Sequence, residues 1–370
     1  MPRSPFRIAV FVAALAVIVA ACGGSTTPPP VPSPGCRTSA PPSVPTCHSG
    51  DASASPSVSP AGSVAQTKLI VGLGYIPSVQ FAPFYRADQA GYYREENLEV
   101  TFQNAIDADL VPKVGSGQVD IGLSDGTSVI PAVSQGVPIH YVATIYGEFP
   151  SIVFAKASSG IKTAADLRGK KIGIPGKYGS SWVMLQALLA SAGLTPADVT
   201  IVEYPDFGQG AALAQGAIDA ATGFVNNEPV QLELSGTKAT VLTIDQITPL
   251  PGPGLIVGTA AAETKAAAVA GFVRATLKAM NEIAAMPSVG VDAAIAAEST
   301  LGQDRPLQEA ILAATIGAWA PSGAAAGAPL TGAIDTPGWQ KSIDYLTTLG
   351  LVAKPVTTQD VVSTAFTSGP

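Results

Sequence analysis

Six stretches of the chain combine aromatic side chains with hydrogen-bonding groups, and each follows a short apolar run. Aromatic faces stack on flat rings, while amide, hydroxyl and carboxylate groups fix the orientation of a ring edge. We therefore expect a binding site for a small planar heterocycle at these stretches. Its predicted contacts are Tyr75, Gln80, Asp125, Tyr146, Tyr178, Ser180, Ser181, Trp182, Phe207, Asn226, Asn227 and Glu228.

The chain has few residues of the types that act as catalytic bases, nucleophiles or metal ligands. Of its two histidines, His48 lies in a proline-rich tract and His140 lies in an apolar run, where a structural role is expected. All three cysteines precede residue 48, so the folded part has no thiol nucleophile, and no His/Cys/Asp cluster has the spacing of a metal site. We predict no catalytic residue, no metal and no cofactor, and therefore a protein that is not an enzyme.

One strand, turn and helix stand at the centre of this expectation. Lys171–Ile174 is a short apolar strand, Pro175–Gly179 is a turn, and either Ser180 or Ser181 is expected to cap the helix that follows. Backbone N–H groups at such a helix start suit a ligand acceptor. The stretch is not a nucleoside-triphosphate loop, because Tyr178 stands where Ser or Thr should follow the Gly-Lys pair.

The elements that must position these residues alternate between strand and helix from residue 67 to about residue 244. Short loops between them indicate an α/β fold with open sheets. The pattern Gly-x-apolar-Asp occurs in 117–120 and again in 216–219, as expected of two similarly built lobes, and Asp120 and Asp219 are predicted to serve turns. The last third is helical, with predicted helices at Ala260–Ala285, Val289–Glu298, Pro306–Ala318 and Thr336–Leu349.

The N-terminus has the features of a bacterial lipoprotein signal. Arg3 and Arg7 precede an apolar run, Ile8–Ala21, that is shorter than the roughly 20 residues of a membrane span. The run ends in Val-Ala-Ala-Cys, which predicts cleavage before Cys22 and acylation of that cysteine. The Pro/Ser/Thr-rich residues 22–66 read as an extended tether. Within it, Cys36 and Cys47 either close a small disulfide loop or remain free thiols.

Charge excludes one class of partner. The formal net charge of −7 leaves no basic patch for phosphates, so a nucleic-acid partner is not expected. The helical segment Ala260–Ala285 carries charged residues along its length, which predicts a packed helix with one wet face rather than a membrane span.

Several segments resemble the substrate-binding proteins of bacterial ABC importers. The branch handles thiamine pyrimidine precursors and riboflavin and, more distantly, nitrate, taurine and sulfonates. The matching residues are Gly74–Tyr85, Gly91–Val100, Gly117–Ser124, Asp166–Ile174 and Asn226–Pro229. The resemblance implies a two-lobed periplasmic-binding-protein fold of the second type, with a helical C-terminal extension of the first lobe, that closes over its ligand by hinge motion.

On this resemblance the chain divides into five parts. Residues 1–21 are a signal peptide and 22–66 the tether; the first lobe comprises 67–148 and returns as 251–370, and the second lobe comprises 149–250. The implied partners are a small flavin- or pyrimidine-type ligand, an ABC permease with its ATPase, and the membrane through the lipid anchor. A monomer on the extracytoplasmic face of the cell membrane is expected.

The sequence reduces the number of candidate ligands but does not identify one. Riboflavin is favoured over a thiamine pyrimidine because the Gly-Ser-Ser and Asn-Asn-Glu-Pro segments resemble flavin receptors more closely. A receptor for nitrate, sulfonate or taurine is an alternative. The related pyrimidine synthases of thiamine biosynthesis are an enzyme alternative, but they use a Cys-rich motif, a histidine and pyridoxal phosphate, whereas here the folded part has no cysteine and only His140.

Overall fold

The computed structural model describes residues 65–104, 109–244, 247–248, 250–321 and 323–367. The predicted signal peptide, Cys22, almost all of the tether, Cys36, Cys47 and His48 lie outside the described residues. The fold below therefore concerns the part of the chain after residue 64.

The described chain forms two five-stranded sheets built to the same plan. The first sheet has the strand order β2-β1-β3-β10-β4 and the second has the order β7-β6-β8-β5-β9. The strands are β1 (Thr67–Gly72), β2 (Leu98–Gln103), β3 (Ile121–Ser124), β4 (Ile139–Thr144), β5 (Ser151–Lys156), β6 (Lys171–Ile174), β7 (Thr200–Glu203), β8 (Ala220–Phe224), β9 (Ala239–Leu242) and β10 (Gly254–Gly258).

In each sheet one strand runs against its neighbours. β10 is antiparallel to β3 and β4 in the first sheet, and β5 is antiparallel to β8 and β9 in the second. Each of these is the strand by which the chain enters from the other sheet. The chain leaves the first sheet after Thr144 and returns to it at Gly254. Two crossings therefore join the sheets, and the lobe boundaries at 148/149 and 250/251 stay our proposal.

The predicted likeness of the two halves extends to single hydrogen bonds. The Asp120 carboxylate accepts from the backbone N–H of Ile70 in β1, and the Asp219 carboxylate accepts from the backbone N–H of Lys171 in β6, each at 2.8 Å. Both aspartates precede their strand and tie it to its parallel neighbour. They therefore hold strand pairs together, and the predicted role in turns was wrong.

Helices lie between most of the strands, and only helices follow β10 among the described residues. They are α1 (Ala82–Gln89), α2 (Tyr92–Glu95), α3 (Leu110–Gly115), α4 (Gly126–Ser134), α5 (Gly179–Ser191), α6 (Gln209–Gln215), α7 (Glu228–Leu234), α8 (Thr259–Thr264), α9 (Ala266–Ala285), α10 (Pro287–Ala297), α11 (Arg305–Trp319), α12 (Thr336–Thr348) and α13 (Thr358–Val361). Short 3-10 helices lie at Val79–Phe81, Ala157–Ser159, Ala164–Leu167, Pro196–Asp198 and Ser299–Asp304.

Three predicted element boundaries were wrong. The segment predicted as one helix from Ala260 is two, α8 and α9, because the backbone leaves helical geometry at Lys265, whose ammonium lies 2.7 Å from the Asp120 carboxylate. Helix α5 begins at Gly179 and has no side-chain cap, so Ser180 and Ser181 lie inside its first turn. Ile244 lies beyond the end of β9.

The helical C-terminal part packs on the first sheet, as predicted. Phe84 of α1, Tyr93 of α2 and Phe272 of α9 are buried in one core with the strands, and the rings of Tyr93 and Phe272 stack with centroids 4.9 Å apart. Trp339 of α12 covers the other side of the same sheet and lies 4.6 Å from the Tyr141 ring. No helix among the described residues combines the length and apolar character needed to cross a bilayer.

Candidate functional site

A cavity of about 660 Å³ lies between the two sheets, at the carboxyl ends of their strands. Both sheets contribute to its wall, because loops that follow parallel strands meet at one edge of a sheet. Of the twelve predicted contacts, those that line the cavity are Tyr75, Gln80, Asp125, Tyr146, Tyr178, Ser180, Ser181, Phe207, Asn227 and Glu228. The structure brings these side chains together from six separate stretches of sequence.

One end of the cavity is polar and aromatic. Burial together with the nearby Glu228 carboxylate raises the pKa of Tyr75 to about 12, and the Asn227 side chain beside the hydroxyl acts in the opposite direction. The Tyr75 and Phe207 rings meet edge to face, with centroids 5.0 Å apart. Phe207 adopts a left-handed φ of 59°, a conformation costly for a bulky residue. The ring contact joins the loop after β1 to the loop after β7, on opposite sides of the space between the sheets.

Glu228 supplies a carboxylate at this polar end. It stands in the first turn of α7, and its Oε2 accepts a hydrogen bond from the Phe224 N–H at 2.8 Å. Burial raises the pKa of Glu228 to about 7, against an ordinary value of 4.5, and the hydrogen bonds from Phe224 and its own backbone offset only part of that rise. Near neutral pH this group can therefore both accept a hydrogen bond and exchange a proton.

A second acid lies in the middle of the cavity wall. Asp125 caps α4, and its Oδ1 accepts from the Thr127 N–H at 2.9 Å. Burial raises the pKa of Asp125, while hydrogen bonds from Thr127, from Ser128 and from the Ser180 hydroxyl act in the opposite direction. The Ser180 contact joins the start of α5 in the second sheet's half to the start of α4 in the first sheet's half.

Asn226 joins the same two halves but does not line the cavity. Its Nδ2 donates to Thr315 Oγ1 at 2.8 Å, to Gln80 Oε1 at 3.1 Å and to Tyr146 Oη at 3.5 Å. Its side chain is fully buried, and its Oδ1 has no hydrogen-bond partner among the described residues. Asn226, predicted as a ligand contact, is placed by the structure as a buried link between halves of the molecule.

Trp182 is the other predicted contact that does not reach the cavity. It is half-buried and packs against the core of the second sheet, while its neighbour Val183 lines the cavity. Successive residues of a helix point about 100° apart, so Trp182 and Val183 face different surroundings. The sequence did not show which one, because both are apolar and both fit the helical period of α5.

The sequence analysis also missed one lining residue with an unused polar atom. Gln209 begins α6, inside a stretch that was predicted to reach the site, and its Nε2 donates to the Thr222 backbone oxygen at 3.1 Å. Its Oε1 is buried and has no partner in the part of the chain that the structure describes. Buried polar atoms are nearly always paired, so an unpaired one on a cavity wall is available to a ligand donor.

The charges on the wall are mostly acidic. Asp125 and Glu228 face the cavity, and the basic lining residue Lys177 lies 3.9 Å from the Glu203 carboxylate. No group of three or more His, Cys, Asp or Glu residues that could hold a metal ion occurs among the described residues. His140 lies in β4 and is not part of the cavity wall. The arrangement can bind a small molecule by stacking and by hydrogen bonds.

Comparison with known proteins gives a matching family and several relatives of this chain. A family model described as NMT1/THI5 like matches residues 78–289. The chain is 33% identical over 323 residues to a protein named riboflavin-binding protein RibY from Chloroflexus aurantiacus, covering 85% of this chain and 91% of that protein. It is 28% identical over 188 residues to a 4-amino-5-hydroxymethyl-2-methylpyrimidine phosphate synthase from Legionella pneumophila, covering 50% of this chain and 58% of the enzyme.

Among solved structures, the alkanesulfonate-binding protein SsuA from Xanthomonas axonopodis pv. citri superposes with a TM-score of 0.62 at 20% identity, over 81% of this chain and 100% of that one. This likeness and the order of the strands confirm the predicted two-lobed periplasmic-binding-protein fold of the second type. Because the family model covers more than half of its residues and a relative at 33% identity covers most of it, the chain belongs to the NMT1/THI5-like family.

Proposed function

We propose that the chain is the extracytoplasmic solute-binding lipoprotein of an ABC importer, and that its solute is a small planar heterocycle. Riboflavin is the leading solute and a thiamine pyrimidine precursor the second. The observation that carries this proposal is the cavity between the two sheets, whose polar end joins the rings of Tyr75 and Phe207 to the amide of Asn227 and the carboxyl of Glu228. The relative named riboflavin-binding protein supports the choice of a flavin.

The groups at the polar end of the cavity can form hydrogen bonds with the edge of a ring. A ring N–H donates to the Glu228 carboxylate, ring carbonyls accept from the Asn227 amide, and the aromatic side chains exclude water from these bonds. Hydrogen bonds to a charged acceptor contribute about 1.5–3 kcal/mol each, more than neutral ones. A donor that binds the ionised carboxylate also lowers its pKa, so solute binding near neutral pH releases part of a proton.

Closure couples the solute to both halves. Asn226 donates hydrogen bonds to Gln80 and Thr315, and the Ser180 hydroxyl lies beside the Asp125 carboxyl, so the halves meet through polar groups. A solute that touches Tyr75 on one side and Glu228 on the other adds contacts only while the halves are together. Its differential affinity shifts the population toward the closed form.

The charges argue against the anion alternative. A sulfonate-type solute would meet the carboxyls of Asp125 and Glu228, and the basic residue on the wall, Lys177, already lies beside Glu203. Each of these carboxyls repels an anion when it is ionised, and a pKa of about 7 leaves part of the Glu228 population ionised at neutral pH. The acidic wall therefore favours a neutral solute with hydrogen-bond donors.

The enzyme alternative rests on the partial match to the Legionella pneumophila synthase. A synthase of that kind, as described above, works with a histidine in its site, whereas the His140 imidazole is not on the cavity wall. The chain is a binding protein rather than an enzyme on this proposal. It works as a monomer, delivers its solute to a permease with its ATPase, and is held to the membrane through a lipid on Cys22.

Calorimetric titration of the purified full-length chain tests the function. Riboflavin, 4-amino-5-hydroxymethyl-2-methylpyrimidine and taurine would be titrated separately, and Asn227→Ala and Trp182→Phe would be compared with the unaltered chain. We expect riboflavin binding that Asn227→Ala weakens about tenfold or more, since it removes a buried hydrogen-bonding group. Trp182→Phe is the control for the core and should keep its affinity. Binding of taurine alone would overturn the proposal.

A further inference from the structure

The cavity does not end at the polar groups but continues along one face of α4. Ser128, Pro131, Ala132 and Gln135 line it at the spacing i, i+3, i+4, i+7, which is a single face of the helix and its C-cap residue. At 1.5 Å per residue, these four residues span about 10 Å along the helix axis. The cavity is therefore elongated, with its polar end at Glu228 and its other end near the C-terminus of α4.

Apart from Gln135, the far end is lined by apolar residues. Across from α4, Val111 and Pro112 of α3 line the cavity, and Val137 and Leu351 close it. Val111, Ala132, Val137 and Leu351 are all half-buried, and each packs against the buried core around Trp339. Ala132 lines this part of the cavity with a side chain of a single methyl group. An apolar groove between α3 and α4 thus adjoins the polar end, and both belong to one continuous cavity.

We infer that this groove, between α3 and α4, is a second subsite that holds the apolar far end of a fused, multi-ring heterocycle whose polar edge lies against Asn227 and Glu228. The inference rests on the proposed function and deepens it. A single-ring solute can satisfy the polar end but leaves the walls of the groove without an apolar partner. A solute of several fused rings in line covers both ends and removes more apolar surface from water. The groove therefore favours solutes of several fused rings over single-ring solutes.

The two ends of the cavity can be tested separately. Ala132→Leu fills the groove with a good helix former, and the same change at the exposed Ala190 of α5 is the matched control. Riboflavin and 4-amino-5-hydroxymethyl-2-methylpyrimidine would be titrated against the full chain and both variants. We expect Ala132→Leu to weaken riboflavin about tenfold or more while the single-ring compound changes less than about twofold. One methylene in an apolar pocket changes binding about 10- to 200-fold, and this substitution adds three carbons. Ala190→Leu should change neither.

A second variant keeps the test decisive if Ala132→Leu impairs folding, as circular dichroism would show. Val111→Thr keeps the volume of the side chain and replaces a methyl by a hydroxyl, so it should weaken riboflavin several-fold and leave the single-ring compound alone. Riboflavin affinity unchanged in both variants would overturn the subsite and leave the proposed function standing. Tighter binding of the single ring than of riboflavin would overturn the subsite as well. Binding of neither compound by the unaltered chain would overturn the proposed function itself.

Discussion

The carboxyl of Glu228 gives the stability of this fold a pH dependence that one substitution should remove. The pKa of Glu228 is about 7 in the folded chain and has an ordinary value of 4.5, because burial disfavours its charged form. Below pH 4.5 the group is neutral in both the folded and the unfolded chain. As the pH rises from 4.5 to 7, the unfolded chain loses the proton first, so unfolding becomes progressively easier. Above pH 7 both states are ionised and the loss is complete.

The size of the loss follows from the two values. The difference between about 7 and 4.5, at about 1.36 kcal/mol per pH unit, is about 3 kcal/mol. Glu228→Gln cannot ionise, and its side-chain oxygen can still accept from the Phe224 N–H. We therefore expect the variant to unfold with nearly the same free energy as the unaltered chain at pH 4, and to be more stable by up to about 3 kcal/mol at pH 8.

Urea unfolding followed by circular dichroism at pH 4, 5.5, 7 and 8, without solute, measures the gap in unfolding free energy between Glu228→Gln and the unaltered chain. Glu233 lies on the same helix but is exposed, so Glu233→Gln is the matched control and should show no comparable change in the gap. A gap that stays constant between pH 4 and pH 8 would refute the assignment of a buried, neutral carboxyl to Glu228. A variant that is less stable at pH 8 would show that the carboxylate is stabilised by contacts stronger than its burial cost.

Three further predictions address the link between the halves, the crossings and the anchor. Asn226→Ala leaves the Gln80 Oε1 atom without its hydrogen-bond donor and removes the bond to Thr315, so it should lower the free energy of unfolding by about 2 kcal/mol in urea titrations. Asn227→Ala should mainly lower solute affinity, and equal effects of both on stability would contradict the roles assigned to them. Gly147 has no room for a side chain, since a Cβ there would lie 2.3 Å from the Pro321 nitrogen, so Gly147→Ala should cost about 2 kcal/mol or more of stability, while Gly317→Ala, with nothing within 4 Å, should cost none. Cys22→Ala should release the chain from membranes into the soluble fraction on ultracentrifugation, and a variant that still sediments with membranes would contradict the lipid anchor.

The sequence was sufficient for those parts of the fold that depend on local pattern. The strand Lys171–Ile174 was predicted to the residue, since a short apolar run before Pro and Gly leaves few alternatives. The repeat containing Asp120 and Asp219 indicated two similar halves because equivalent positions in equivalent sheets need the same hydrogen bond. The strand-end rule then selected the loops that meet at the cavity.

The parts that the sequence did not show depend on contacts between distant residues. The break at Lys265 coincides with an ion pair to Asp120, 145 residues away in the chain, and the helical pattern of that segment carries no sign of it. The groove along α4 depends on how α3, α4 and Leu351 are placed together, and the residues that line it are ordinary apolar residues in the sequence. Helical spacing alone could not separate Trp182, which packs in the core, from Val183, which lines the cavity.

Three consecutive residues that were predicted together as ligand contacts occupy different environments in the structure. Asn226 is buried against Gln80 and Thr315 of the other half, whereas Asn227 and Glu228 line the cavity. Because the three residues are consecutive, a displacement of the Asn227 or Glu228 backbone also acts on Asn226. On the proposed function, a solute that fixes the second and third residues favours the hydrogen bonds of the first. We therefore propose that occupation of the cavity and contact between the two halves stabilise each other through this short segment.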